Sequence, residues 1–401
     1  MKLKSGLPYS LLRYGLMYEY PKLERDIRTD VLIMGAGISG ALASYRLSRH
    51  GIDHIVVDAR TVGLGSTCAS TSLLQYELDT PVCDLIKLTG KAKAEQVYHC
   101  CREAIYEILD IAKKVGTKDA AQKSSLYFAA RKKDIAFLTR EYKARKEAGF
   151  EVSLHTAAGL KKRAGIKASA GIISRDAAQI DSYLLTHSLH QFAIRKGAQV
   201  YDRSEITGID HHRLGVRARM ANGTTIRAKQ IIYACGYEVS RYISKPIVKL
   251  SSTFVLASEP ISAKHPFLKE DLLYWNTAHP YLYMRTTPDR RILVGGRDLP
   301  WSKAVEDETI LKRRTKLLLS DFQKTFPQIP FIPEFSWSGV FGSTKDGMPY
   351  IGTYKGKPNS YFALGYGGNG IVFSQVAANI ITDAIAGKKN KLKNLFLFDR
   401  N

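Results

Sequence analysis

Cysteine is scarce in this chain and builds no framework. The five residues are odd in number, Cys100 and Cys101 are adjacent, and no CxxC spacing occurs. That pattern argues against a disulfide-stapled secreted fold. It also argues against a structural zinc site, because His211 and His212 sit together in a polar stretch with no Cys or His at ligand spacing. No metal is expected. Long apolar runs are missing as well: nothing approaches the roughly 18 consecutive residues a membrane-spanning helix needs. The opening MKLKSGLPYS lacks the apolar core and cleavage site of a secretory signal, so a cytoplasmic setting is expected. Only three tryptophans occur, Trp275, Trp301 and Trp337, and all are expected to be packing residues. Acid is short relative to base, with 37 Asp and Glu against 60 Lys and Arg and a net charge of +23. Such a charge suits a polyanionic partner such as nucleic acid, or a generically basic surface. The basic residues are scattered, with no run of five or six and no basic–aromatic motif, which favours the generic reading.

A chain of 401 residues, 45% of them apolar, holds enough material for two or three domains. Residues 1–28 form a polar, tyrosine-rich lead-in expected on the surface. The run Val31 to Met34 reads as a buried parallel strand and residues 38–50 as a helix stopped by Gly51, while HIVVDAR is a second strand. Helices are expected over 96–115, 183–196 and 306–325 from their apolar spacing. Asn222-Gly223 between alternating segments signals a hairpin. Residues 246–300 alternate as in an antiparallel sheet. The C-terminal part reads as a strand, a glycine-rich turn and a long helix. The fold class expected is therefore α/β. A Rossmann-type dinucleotide layer (29–95, 153–245 and 337–401) interleaves with a largely antiparallel substrate domain carrying helices (96–152 and 246–336).

The chemistry begins at Gly35-Ala36-Gly37-Ile38-Ser39-Gly40, a GxGxxG that follows a strand and opens a helix. The first glycine makes the tight turn, the second lets backbone approach a pyrophosphate, and the third permits close helix–strand packing. The helix start offers free N–H groups and a positive dipole end to phosphate. Asp58, about 20 residues on at the end of the next strand, can accept from a ribose diol. After Asp58-Ala59-Arg60 the chain enters GLGSTCASTS, a small, hydroxyl-rich stretch suited to wrapping a pyrophosphate and reaching a flat ring.

These segments, followed in order by DAAQIDSYLL, the YACG strand end, DGMPYIG and GYGGNGIVFS, resemble the D-amino-acid-oxidase-type flavoproteins. That group includes glycine oxidase, sarcosine oxidase and gamma-glutamylputrescine oxidase. The resemblance runs from about Asp30 to Gly387 and implies FAD. It implies that Gly35, Gly37 and Gly40 cradle the pyrophosphate, that Asp58 holds the adenosine ribose, and that Ala59 and Arg60 lie at the adenine end. Gly65, Ser66 and Thr67 would touch phosphate and ribityl oxygens, and Ser72, Leu73 and Leu74 would approach the isoalloxazine. Ile206 would meet adenine, and Ala234 and Gly236 would line the dinucleotide. Gly367, Gly368, Asn369, Gly370 and Ile371 would contact the pyrimidine edge of the flavin. A helix starting near Ile371 would aim its positive end where charge develops on reduction.

Three departures shape the expected chemistry. Phe341 stands where glycine oxidase-type relatives carry an arginine that grips the substrate carboxylate. No cysteine follows Cys235, so FAD is expected to be noncovalent. Asn369 replaces the histidine of the sarcosine-oxidase turn and cannot titrate. Alternation in YLYMR puts Tyr281, Tyr283 and Arg285 on one strand face, making Tyr283 and Arg285, with Asn369, the candidate substrate-face residues; Arg285 equally suits a structural ion pair. The expected reaction is hydride transfer from a C–N bond of a small amine or amino acid to flavin N5, followed by imine hydrolysis. Dioxygen or another acceptor would reoxidise the flavin. Two other readings remain open: a flavoenzyme acting on a modified base in tRNA, and a non-enzymatic basic protein with a degenerate flavin fold.

Overall fold

The computed structural model describes residues 1–268, 270–302, 307–364 and 366–400. Two sheets organise them. The first has eight strands. Its main path runs Tyr350–Gly352, Ser360–Leu364, Thr225–Tyr233, Ile27–Met34, His54–Val57 and Gln199–Tyr201. The strands from Ser360–Leu364 through Gln199–Tyr201 are parallel. Their residues are near-continuously apolar because both faces are covered: Leu32, Ile33, Val56 and Ile231 are all sealed from solvent. The long strand Thr225–Tyr233 serves two partners on one side. Its first half forms the expected hairpin with Gly215–Met220, and its end pairs with Ser360–Leu364.

The second sheet has ten strands. Its path runs Lys4–Gly6, Pro333–Ser343, Lys249–Ser258, Ile292–Pro300, Tyr283–Thr286, Leu273–Asn276, Ala121–Phe128, Ala170–Gln179 and Leu73–Gln75, with Val152–Thr156 beside Ala170–Gln179. All neighbours are antiparallel except Leu273–Asn276 against Ala121–Phe128.

Helices Ile38–Arg49, Ser182–Arg195 and Gly370–Ile385 pack together against the parallel sheet. Gly370–Ile385 is buried nearly all round, through Ile371, Val372, Phe373, Val376, Ala377, Ile380 and Ile381, which explains its apolar composition. Among the described residues, no helix is long and apolar enough to cross a membrane.

The structure corrects several expected boundaries. Residues 1–28 are not a surface lead-in: Lys4–Gly6 adds an edge strand to the ten-stranded sheet, and Leu3, Tyr9, Tyr20 and Leu23 are buried. A three-residue strand carries too little alternation to be read from sequence. Leu73–Gln75 and Val152–Gln179 also belong to the ten-stranded sheet rather than to the parallel one, as does Pro333–Ser343. The long helix expected over 96–115 begins at Lys91, directly after Gly90 turns the chain with φ +83°. The helix expected over 306–325 runs Glu308–Thr325; its expected first residue, Glu306, lies outside the described residues.

Candidate active site

A cavity of about 520 Å³ opens between the two sheets, at the C-terminal ends of the parallel strands. The glycine turn forms one wall, and its geometry accounts for each glycine. Gly35 has φ +112°, and a Cβ there would meet the Ala234 carbonyl at 2.5 Å. A Cβ on Gly40 would lie 1.8 Å from the Gly35 carbonyl. A Cβ on Gly37 would lie 2.8 Å from Thr67 Oγ1, which accepts from the Ile38 amide at 3.1 Å. The second glycine therefore admits the hydroxyl of the next loop to the helix start. Gly37, at the cap, has no side chain to cover that helix end, and Gly37, Ile38 and Ser39 line the cavity there, so the positive end of the helix lies at the cavity wall.

Asp58 braces this turn. Its Oδ2 accepts from the Ala36 amide at 2.7 Å and its Oδ1 from the Arg60 amide at 2.8 Å. Burial pushes the carboxyl above the ordinary aspartate range, while the two amides pull it back. The Arg60 guanidinium pairs with Glu238 through two bonds, at 2.8 and 2.9 Å.

At the opposite end, the turn Gly367–Asn369 leads into helix Gly370–Ile385, whose N-terminus also lacks a side-chain cap. Gly368 N donates to Asp79 Oδ2 at 2.9 Å, and the Tyr281 hydroxyl donates to Asp79 Oδ1 at 3.1 Å. Asp79 thus ties the glycine turn to the antiparallel sheet. Asn369 ties it to the strand Leu73–Gln75: its Nδ2 donates to the carbonyls of Gln75 and Glu77, each at 2.8 Å. Ser72 sits in the left-handed region at φ +57°, uncommon for a side-chain-bearing residue. Its hydroxyl donates to Ser182 at 2.8 Å.

The cavity brings together most of the residues that the sequence selects. Gly35, Gly37, Ile38, Ser39, Asp58, Ala59 and Arg60 line it, as do Gly65, Ser66, Thr67, Ser72 and Leu73. So do Ile206, Ala234, Gly236, Gly367, Gly368, Asn369, Gly370 and Ile371. Ala36, Gly40 and Leu74 do not. Leu74 is fully buried because alternation turns it to the face opposite Leu73.

Two substrate-face expectations need correction. Tyr281 and Tyr283 line the cavity, but Arg285 does not. Arg285 is buried, its Nε bonds the Thr71 carbonyl, and its Nη1 donates to the Thr286 carbonyl at 2.8 Å. It supports the 70–72 loop from behind, and burial pulls its pKa down while Asp181 opposes the shift. The Asn369 amide nitrogen is committed to backbone and is not available to a ligand. Trp275, expected as packing alone, also lines the cavity while stacking on Tyr127 at 3.7 Å.

Sequence reasoning passed over Asp79, Glu77, Thr253 and Asp298 on the cavity wall, and Glu238 at the Arg60 end. Single acids after strands carry no motif, and only the fold assembles them.

Behind Glu77 lies a sealed charge network. Arg145 Nε donates to Glu141 at 2.7 Å and Nη1 to Glu77 at 3.1 Å, with both side-chain pairs essentially inaccessible. Glu141 also accepts from the amides of Val82 and Cys83, and Ser125 donates to Glu77.

Comparison with known proteins places this arrangement. Gamma-glutamylputrescine oxidoreductase of Escherichia coli is 22% identical over 376 residues, covering 92% of this chain and 86% of that one. The crystal structure of glycine oxidase from Geobacillus kaustophilus superposes with a TM-score of 0.76 at 18% identity, over 93% of this chain and 99% of that one. The FAD-bound L-alpha-glycerophosphate oxidase of Mycoplasma pneumoniae superposes with a TM-score of 0.74 at 16% identity, over 92% and 98%. The family of FAD dependent oxidoreductases matches this chain over residues 30–384, and the chain belongs to that family.

Proposed function

We propose that this enzyme oxidises a C–N bond of a small amine, one that needs no α-carboxylate for binding. The observation that carries this reading is the substrate end of the cavity. Phe341 lines it where related enzymes that grip a carboxylate place an arginine, and Arg285 is turned into the core. A carboxylate set against the Phe341 ring would be desolvated without a cationic partner, at a cost of several kcal/mol. The glycine oxidase and gamma-glutamylputrescine oxidoreductase likenesses support amine chemistry.

The cavity suits FAD. The Gly35–Gly40 turn and Thr67 would hold the pyrophosphate, with Asp58 at the ribose and Arg60 with Glu238 at the adenine end. The Gly367–Ile371 segment and Ser72–Leu73 would flank the ring. The described cysteines are all free, and no covalent attachment is proposed. FAD, when bound, accepts a hydride and passes two electrons to dioxygen or another acceptor. The protein's own contribution is positioning and exclusion of water. Tyr281, Tyr283, Trp275 and Phe341 wall the substrate, and both Asp79 oxygens are occupied, so Asp79 is not a free base. A neutral amine that gives up hydride from its α-carbon becomes an iminium ion, which water splits into a carbonyl compound and an amine.

Anaerobic mixing of the holoenzyme with amines, N-methyl amino acids and free amino acids tests the proposal. Simple amines should bleach the flavin. Free glycine, sarcosine or D-alanine reducing it about tenfold more efficiently, 1.4 kcal/mol of preference, would refute it.

A further inference from the structure

The cavity is electrically divided. The cations on its wall are Arg60, Arg241 and the Met1 amino group, and all of them reach Glu238, the latter two at 3.8 and 3.2 Å. At the other end the charged wall residues are Glu77, Asp79 and Asp298, and among the described lining residues no Lys, Arg or His accompanies them. Protein donors account for Asp79, and for Oε1 of Glu77. Glu77 is 4% exposed, and its Oε2 has no hydrogen-bond partner.

Asp298 owes its position to a β-bulge. Phe254 faces Gly296 and Ser252 faces Leu299, so Ile292–Pro300 carries one residue more than its partner between these pairs. Gly296 at φ +138° and Arg297 at φ +57° break the pleat there. Arg297 leaves to pair with Asp321 on the neighbouring helix. Asp298 comes to the cavity wall, also lined by Thr253, whose hydroxyl meets the Tyr283 hydroxyl at 3.0 Å. One carboxylate oxygen, Oδ1, is shielded from solvent and has no partner. Burial first, and the Asp79 charge in addition, raise its pKa to about 6. Trp275 and Tyr281 meet edge to face at 6.1 Å, and Tyr281 and Tyr283 lie 5.9 Å apart; all three line the cavity, as does Phe341.

An enclosed carboxylate oxygen with no donor, set among aromatic rings, in a cavity whose lining cations are all drawn to Glu238, is the chemistry that recognises an ammonium group. We propose that the substrate is an amine with a second positive charge, a diamine or polyamine, whose remote ammonium is anchored by Asp298 within this aromatic enclosure. The inference rests on the amine-oxidation reading and narrows it. Asp298 is a specificity residue here, because the reacting carbon belongs to the other end of the substrate.

The test uses full-length holoenzyme without oxygen, comparing 1,4-diaminobutane with 1-aminobutane and with free amino acids. The diamine should reduce the flavin with a rate over dissociation constant at least about tenfold above the monoamine, the scale of one desolvated cation contact. Asp298→Asn should narrow that ratio by about tenfold. Equal reduction by both amines overturns the second-charge proposal and leaves amine oxidation standing. Reduction by amino acids alone overturns both. A second measurement does not depend on turnover or on how the variant folds. A bis-trimethylammonium alkane, which has no nitrogen lone pair, should perturb the wild-type flavin spectrum at concentrations about tenfold below those needed for its mono-quaternary counterpart. Equal potency of the two, or no perturbation by either, overturns the cation site.

Discussion

Replacing Asn369 with alanine removes one amide and should unfasten the turn that precedes helix Gly370–Ile385. Asn369 is 8% exposed, and its Nδ2 is the donor to two backbone carbonyls, those of Gln75 and Glu77. Each buried carbonyl left without a donor costs about 1–3 kcal/mol. Water entering the space vacated by the side chain restores part of this, so the expected loss is roughly 2–4 kcal/mol. Against a total stability of about 5–15 kcal/mol, that is a large fraction. The loss concentrates at the cavity, because Gly368 and Asn369 link the turn to the antiparallel sheet and the helix dipole points from the same turn. Urea unfolding of the apoprotein and titration with FAD by flavin fluorescence measure the two parts separately. The unfolding free energy should fall by about 2 kcal/mol or more, and the FAD dissociation constant should rise at least about tenfold. Changes below roughly 0.5 kcal/mol in both would refute the assignment of Asn369 as a fastener.

Asp58→Ala should weaken FAD binding by about 1–3 kcal/mol, because it removes a ribose acceptor and frees the Ala36 and Arg60 amides; an unchanged dissociation constant by calorimetry would remove Asp58 from the site. Arg145→Met should cost about 3–5 kcal/mol in unfolding free energy, since it leaves Glu77 and Glu141 buried without their cation; the double change with Glu77→Gln should recover part of that loss. Burial lowers His187 to about 4 and His190 to about 3. Both are neutral in the folded chain and protonate near 6.5 once unfolded. Their contribution is therefore present above pH 6.5 and is lost as pH falls toward 4, at up to about 1.4 kcal/mol per pH unit for each residue, which urea midpoints across that range will report. Asp298 has the opposite sign, since its raised pKa disfavours the folded state as pH climbs from about 4 to 6, so Asp298→Asn apoprotein should be the more stable above pH 6 and level with wild type near pH 3.

Local grammar carried most of the cofactor half of the cavity. The spacing from Gly35 to Gly40, the apolar strands on either side, and Asp58 at the next strand end all express rules acting within about 30 residues. The Asn222-Gly223 hairpin obeys an equally short rule. The substrate half obeys no such rule. Alternation correctly sets Tyr281 and Tyr283 toward the cavity, yet says nothing of the 70–72 loop that takes up Arg285. Asp298 reaches the wall only because a bulge interrupts the period on which a pattern argument depends. Asp79 matters because of Gly368 and Tyr281, which stand 289 and 202 residues away. The strand Lys4–Gly6 is invisible for a related reason, since its partner lies more than 300 residues on at Trp337 to Gly339.

The interleaving of the two sheets has a consequence for biosynthesis. The Gly35–Gly40 turn leaves the ribosome some 190 residues before its strand's neighbour Thr225–Tyr233, and Ser360–Leu364 emerges later still. Helix Gly370–Ile385, which packs on Ile38–Arg49 and carries the second glycine turn, is made about 330 residues after the first turn. The nascent chain therefore holds an intact phosphate-binding loop that has no completed sheet around it, and Val31 to Met34 wait without the neighbouring strand Thr225–Tyr233 until that strand is made. The parallel sheet cannot be completed before Ser360–Leu364 has been made, and uncovered apolar strands are prone to aggregate until then. Ribosome-stalled chains that stop short of residue 360 should display the whole glycine motif and yet retain no FAD.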